Sequence, residues 1–235
     1  MCGRFNVIDD PSLQQLLREL GIDLDLPSRT NIAPTEAITM VRDRGEGPEA
    51  CEVRWWLTPH WAPQVDQKYS MFNARSESIA HSRAFSEPFR RRRGIVPISS
   101  FIEWRTEGSV KQPYLISAVA GALALAAVWD HWEKEGQEIE SCALVTTAAA
   151  PEFEQIHKRM PVILYGDERQ RWLDVGSEVA ANDSLFAPRL KRAMQALPVS
   201  RSLNNARNKD PGLLAATGQA LDLAGDSITG RNDAD

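Results

Sequence analysis

Leucines at positions 13, 16, 17 and 20 recur at the spacing of one helical face, with polar residues between them. The pattern predicts a helix over Pro11 to Leu20, capped by Asp9 or Asp10, with Pro11 in its first turn and Gly21 at its end. Further along, short apolar segments alternate with turn-forming or polar residues. Ala37 to Val41, Cys51 to Leu57, Gly94 to Ile98, Tyr114 to Ser117, Ala122 to Trp129 and Ile139 to Val145 read as strands. Gly45-Glu46-Gly47-Pro48 and Lys134-Glu135-Gly136-Gln137 read as hairpin connections. Helical text returns at Pro151 to Ile156, Glu168 to Leu173 and Leu185 to Leu197. Many strands, few helices and no regular β-α alternation predict an α+β fold: a single domain with a curved, barrel-like mixed or antiparallel sheet flanked by helices. The domain is expected over residues 1–224, and the small, polar stretch 225–235 reads as a free, solubilising tail.

Composition adds limits. Of 235 residues, 43% are hydrophobic and 25% charged, which allows an ordinary buried core. No apolar run reaches the roughly 18 residues of a membrane span, and Met1 to Asn6 hold no signal-peptide stretch. A cytoplasmic, monomeric protein with no membrane partner is the expectation. The three cysteines, Cys2, Cys51 and Cys142, read as thiols, with Cys51 and Cys142 in the core. No Cys-x-x-Cys or His-x-x-x-His pair occurs, so neither a metal nor a cofactor is expected. A formal net charge of −5 argues against indiscriminate polyanion binding, unless cations cluster. Arg90 to Arg93 form one cluster, read here as a solvated connection before a strand.

Cys2 carries the candidate chemistry. Aminopeptidase removal of Met1 leaves an amine and a thiol on one residue, with reference pKa values of about 8 and about 8.5. An aldehyde can condense with the amine, and the thiol can then close a five-membered thiazolidine on the same carbon, an intramolecular step. Gly3 lets a substrate approach closely. Four polar constellations supply partners where strand-like text ends: Asn31-Ile32-Ala33-Pro34-Thr35, Asn73-Ala74-Arg75-Ser76-Glu77, Glu103-Trp104, and His157-Lys158-Arg159-Met160-Pro161.

In that order, and with Arg54-Trp55-Trp56-Leu57-Thr58-Pro59-His60-Trp61 and Leu203-Asn204-Asn205, these motifs resemble the SRAP domain (SOS response-associated peptidase), the abasic-site processing proteins, from Met1 to about Asp210. The resemblance implies a DNA-damage response protein that captures abasic sites in single-stranded DNA through a thiazolidine on its N-terminal cysteine. It locates the protein in the cytoplasm, at the nucleoid when bound to DNA. The family name implies (auto)peptidase or lyase-type activity as well, although only Met1 precedes Cys2 here.

The resemblance gives each matched residue a role. Glu103 orients or deprotonates the α-amine and serves as general acid or base; by residue type alone it reads as an exposed strand carboxylate. His157 moves protons near neutrality, to open the sugar or to reverse the crosslink. Asn73 holds the amino terminus or the sugar hydroxyls. Arg4, Arg75 and Arg159 each follow a catalytic candidate by two residues, so in extended chain each shares its neighbour's face and is suited to DNA phosphates. His60, His81 and His131 read as structural or surface groups. Three departures from the family pattern stand out: Ser100-Phe101-Ile102 before Glu103, Gly94 where cysteine is common, and only Tyr69 and Phe72 as aromatics over residues 63–72, where a tryptophan wedge is usual. The rival readings are an N-terminal-nucleophile hydrolase such as a class II glutamine amidotransferase, and a single-strand binder without covalent chemistry.

Overall fold

The computed structural model describes residues 2–225, so the expected tail lies, but for Gly225, outside the described residues. The strands are β1 (Phe5–Val7), β2 (Arg29–Ile32), β3 (Ala37–Asp43), β4 (Pro48–Arg54), β5 (Asn73–Arg75), β6 (Arg93–Ile98), β7 (Ser100–Glu107), β8 (Val110–Ala118), β9 (Leu123–Lys134), β10 (Gln137–Ala148), β11 (Arg159–Pro161), β12 (Ile163–Leu164), β13 (Met194–Pro198) and β14 (Leu221–Leu223). The helices are α1 (Pro11–Glu19), α2 (Ser76–Ile79), α3 (Ser86–Arg91) and α4 (Asp167–Leu173).

Five strands close on themselves in the order β10-β4-β3-β6-β9, with β9 returning to β10. β5 and β11 extend this barrel from β10, and β12 extends it from β9. A second, six-stranded sheet runs β14-β13-β8-β7-β1-β2. The architecture is the expected α+β domain with a barrel-like mixed sheet. Both faces are covered over Leu123 to Asp130 of β9 and Ser141 to Thr147 of β10, so the apolar stretches there, Leu123 to Trp129 and Cys142 to Val145, are continuous rather than alternating. β10 is the spine of the molecule: it meets β9, β4, β5 and β11 at successive points.

Helix α1 forms as its pattern dictates. Asp10 is the cap, its Oδ1 accepting from Leu13 N at 2.9 Å, and Gly21 ends the helix at φ +76°. Four expectations need correction. Leu185 to Leu197 is not a helix: a 3-10 turn at Ser184–Phe186 gives way to β13, because Pro188 lacks an amide hydrogen and Pro198 closes the segment. Pro151 to Ile156 folds as consecutive turns. The strand expected at Cys51 to Leu57 starts at Pro48 and stops at Arg54, where Trp55 and Trp56 bend out of the ladder. Cys51 is only half-buried, whereas Cys142 is in the core as expected.

The arginine cluster is not uniformly solvated. Arg93 is buried and donates to the carbonyls of Trp172 (2.6 Å), Ser177 (2.9 Å), Phe89 (3.3 Å) and Asp174, gathering the carbonyl-rich C-terminal end of α4. Its neighbour Gly94 is also dictated by packing. A Cβ there would stand 2.6 Å from Met40 Sδ and 3.1 Å from Val41 O on the adjoining strand. A cysteine side chain at position 94 would therefore not fit against Met40. Gly94→Ala is therefore expected to destabilise the fold by about 1–3 kcal/mol through overpacking, read as a lower urea midpoint, and Gly94→Ala with Met40→Ala should recover part of that loss.

Candidate active site

The β1–β7 pairing builds one wall of the site. Phe5 lies opposite Phe101, and Ile102 N donates to Arg4 O at 2.9 Å. Carried one step further, the register sets Gly3 across from Glu103. Glu103 is buried, not the exposed carboxylate its residue type suggests, and its charge acts on Cys2. Cys2 is fully buried as well. Burial pushes its thiol well above the ordinary thiol range, and the Glu103 charge adds to the effect. The positive charge of the amino terminus and a backbone hydrogen bond at Arg4 oppose the shift without cancelling it.

Asn73 closes the opposite side. Its Nδ2 donates to Cys2 O at 2.9 Å inside the protein, linking residues 71 positions apart. The amide is aimed by the β5–β10 ladder, in which Asn73 lies opposite Leu144 and Leu144 N donates to Phe72 O at 3.0 Å. Trp55 Nε1 donates to the same Phe72 carbonyl at 2.9 Å. The Phe72 ring centroid lies 5.5 Å from Trp56 and 6.1 Å from Trp55, and Trp55 in turn lies 4.9 Å from Phe5. This aromatic group locks β1, the end of β4 and β5 together, so Cys2 and Asn73 share one rigid frame. The bend after Arg54 is what frees the two tryptophans for that job.

His157 follows the turns at 151–156 and is half-buried. Its Nδ1 accepts from Arg159 N at 3.0 Å and also lies 3.1 Å from Arg159 O. The same nitrogen thus has a donor in the neutral ring and an acceptor when it is protonated, which suits a proton carrier. β11 brings this segment to β10, with Arg159 opposite Ala148, two residues from the Thr146–Arg75 pair of β5.

The three arginines are placed differently from one another. Arg4 is half-buried, donates from Nη1 to Gly3 O at 2.7 Å and lies 5.8 Å from the Trp104 ring centroid. Arg75 is exposed although Asn73 is buried, because the chain turns into α2 at Ser76. Arg159 is engaged: Nη1 and Nη2 bind the two Glu77 oxygens at 2.9 and 3.0 Å, and Nη2 also donates to Thr146 O at 2.8 Å. Glu77 thereby ties the Asn73 segment to the His157 segment. Arg4 Nε, Asn73 Oδ1 and Arg159 Nε are buried without a hydrogen-bond partner among the described residues. Such atoms are costly to bury and are a feature of sites that receive a polar ligand.

The family model for SOS response associated peptidase (SRAP) matches residues 1–206. The chain belongs to the SRAP family. Among curated SRAP relatives, the abasic site processing protein YoqW of Bacillus subtilis is 31% identical, with 91% of this chain and 99% of the relative covered. The abasic site processing protein YedK of Escherichia coli is 29% identical over 91% of this chain and 99% of its own length. The abasic site processing protein HMCES of Xenopus tropicalis is 32% identical, over 70% of this chain and 56% of its own. A crystal structure of a protein from Bacteroides thetaiotaomicron shares the fold with a TM-score of 0.77 at 24% identity, covering 90% of this chain and 98% of the other. Among the described residues no helix is long and apolar enough to cross a membrane, and no group of three or more His, Cys, Asp or Glu side chains is placed to hold a metal ion.

Several residues of this SRAP site carry little sequence signal. Phe72, Trp55 and Trp56 look like ordinary core aromatics, and Glu77 and Thr146 like ordinary surface and strand residues. Only the order of the motifs pointed near them. Asn73→Ala removes the donor to Cys2 O and leaves that buried carbonyl unpartnered. The expected cost is about 1–3 kcal/mol in urea unfolding, and Asn73→Asp should cost more, because a second oxygen then faces the carbonyl.

Proposed function

We propose that this protein captures abasic sites in single-stranded DNA by forming a thiazolidine at Cys2 after Met1 is removed. The observation that carries the reading is the convergence of Asn73 and Glu103 on Cys2: one fixes its carbonyl at 2.9 Å, and the other sets the charge around its sulfur. The relatives' name, abasic site processing protein, supports the same substrate.

The chemistry follows from the burial. A thiol held above its ordinary range is a poor first nucleophile, so the α-amine leads. Glu103 takes a proton from the ammonium, and the neutral amine adds to the ring-opened sugar aldehyde. Loss of water gives the imine. The Cys2 thiol then adds across the C=N bond, its sulfur bonding to carbon and its proton ending on nitrogen, with Glu103 carrying the proton between them. His157, with partners for Nδ1 in both protonation states, serves sugar opening and the reverse reaction. A lyase-type release or a peptidase step at the same cysteine would use this same apparatus.

Phosphates fall to Arg4 and Arg75, and to Arg159 once a phosphate competes with Glu77. Local cations of this kind offset the net charge of −5. Trp61 and Tyr69, exposed on the segment that leads to Asn73, offer stacking surfaces to bases. The same reading has the protein act as a monomer, in the cytoplasm and at the nucleoid when bound to DNA.

Mixed with uracil-glycosylase-treated single-stranded DNA, the purified protein should shift in a denaturing gel. Cys2→Ala should abolish the stable product, and Glu103→Gln should slow its formation by about 10²-fold, the usual contribution of a positioned acid-base group. Wild-type yield from Cys2→Ala would overturn the thiazolidine, and ready ammonia release from glutamine without DNA capture would favour the amidotransferase reading.

A further inference from the structure

The C-terminal part of the domain touches the site through one side chain that the chemistry above does not use. Asn204 ends a 3-10 turn at Arg201–Asn204, and its Oδ1 accepts from Trp104 Nε1 at 2.6 Å. The Arg4 guanidinium lies over the Trp104 ring, 5.8 Å from centroid to carbon. We propose that Asn204 is a positioning residue for DNA binding: it fixes the Trp104 indole, and the indole holds Arg4 in the orientation that meets a phosphate beside the captured sugar. The inference rests on the reading of Arg4 as a phosphate ligand.

Three observations support it. First, the segment bearing Asn204 is anchored firmly enough to serve as a reference point. Leu203 is fully buried in a small cluster with Ile102 and Val199, against which Trp104 itself packs, separate from the main core. The Asn31 side chain, held at φ +51°, donates to the carbonyls of Leu203, Asn205 and Asn208 at 3.3, 3.1 and 3.0 Å. Asn31 N in turn donates to Asn6 Oδ1 at 2.8 Å, so this clasp is tied to β1 itself.

Second, Arg4 is kept available for an anion. No carboxylate among the described residues pairs with it. Glu36, the acid whose charge reaches it, is engaged by Arg29 at 3.1 Å and by Lys209 at 2.5 Å. Lys209 belongs to the same C-terminal clasp and also donates to Asn31 O at 2.8 Å. Third, Arg4 is partly desolvated, and burial lowers its pKa from the ordinary arginine value. A guanidinium in that state gains most from a correctly directed anion, and its Nε still lacks a partner.

The interaction is directional on the Trp104 side. The indole has one N–H, and Asn204 Oδ1 is where it ends. Without that acceptor the ring keeps its packing against the Leu203 cluster but loses the bond that sets its plane. Arg4, held by Gly3 O, then loses the fixed ring face beside its guanidinium.

The test uses the full chain and a single-stranded oligonucleotide with a tetrahydrofuran in place of the abasic sugar, which Cys2 cannot attack. Dissociation constants are measured across a salt series for wild type, Arg4→Ala, Asn204→Ala, Trp104→Phe and the double variants. Asn204→Ala should weaken binding about fivefold to tenfold and reduce the slope of log affinity against log salt by up to about 0.7, the value of one single-strand phosphate contact. Trp104→Phe should do the same, and Asn204→Ala should add nothing in either the Arg4→Ala or the Trp104→Phe background. An unchanged salt slope in Asn204→Ala, even with a lowered Tm, would assign Asn204 a purely structural role and overturn the proposal. So would losses that add in full to those of Arg4→Ala. The wild-type arm separates the two levels: if wild type captures natural abasic DNA but Asn204→Ala keeps the wild-type slope, only the positioning role falls. If wild type neither binds nor captures DNA, the functional reading falls and the positioning role with it.

Discussion

A buried hydrogen bond from the Asn73 amide to the Cys2 carbonyl decides whether the N-terminus is a site at all. Chain ends fray unless something holds them. Here Cys2 precedes β1, and this 2.9 Å bond ties its carbonyl to β5 on the far side of the site. The donor is only as well placed as the strand that carries it, and β5 is three residues long. Its rigidity is borrowed from β10, from the Phe72 carbonyl shared by Leu144 and Trp55, and from the ring packing of Trp55 and Trp56. The closed barrel therefore acts on the chemistry through one short strand.

In the proposed reaction, with the terminus fixed, electrostatics order the two nucleophiles. Glu103 is buried beside Cys2 and disfavours the thiolate, while the same charge favours a protonated amine and can receive its proton. The site thus suits a sequence in which nitrogen bonds first and sulfur closes the ring. A conventional cysteine protease needs the reverse, a thiol pushed down by a cationic partner. The surroundings of Cys2 argue for aldehyde chemistry more strongly than its position in the chain does.

Much of this was legible in the sequence, for identifiable reasons. The leucine spacing of α1, its proline and its cap follow local rules, and the structure obeys them. The apolar segments that mark β9 and β10, Ala122 to Trp129 and Ile139 to Val145, are equally plain, although both strands extend beyond them. The segment from Leu185 to Leu197 misled because its apolar spacing imitates a helix, while Pro188 and pairing to β8 impose an extended path. The pattern marks Glu103 as a strand residue but does not delimit β7, because Ser100 to Glu107 mixes apolar, polar and charged residues, with the buried positions confined to its first half. At the site, the order of motifs singled out Cys2, Asn73, Glu103 and His157, but spacing could not separate the arginines. Arg75 is exposed, Arg4 rests over Trp104 and Arg159 is paired with Glu77, distinctions that depend on partners far away in sequence. Arg93 illustrates the same limit: a charge that looks solvated in sequence is buried against the end of α4.

The central claim is that amine and thiol of one residue both bond to the sugar. Mass spectrometry of the captured product, after nuclease and protease digestion and without any reducing agent, tests this directly. The account predicts an N-terminal peptide that begins at Cys2, carries the sugar remnant with the loss of one water, and reacts neither with amine labels nor with thiol alkylating agents. An adduct whose Cys2 thiol can still be alkylated, or one that retains Met1, would contradict it.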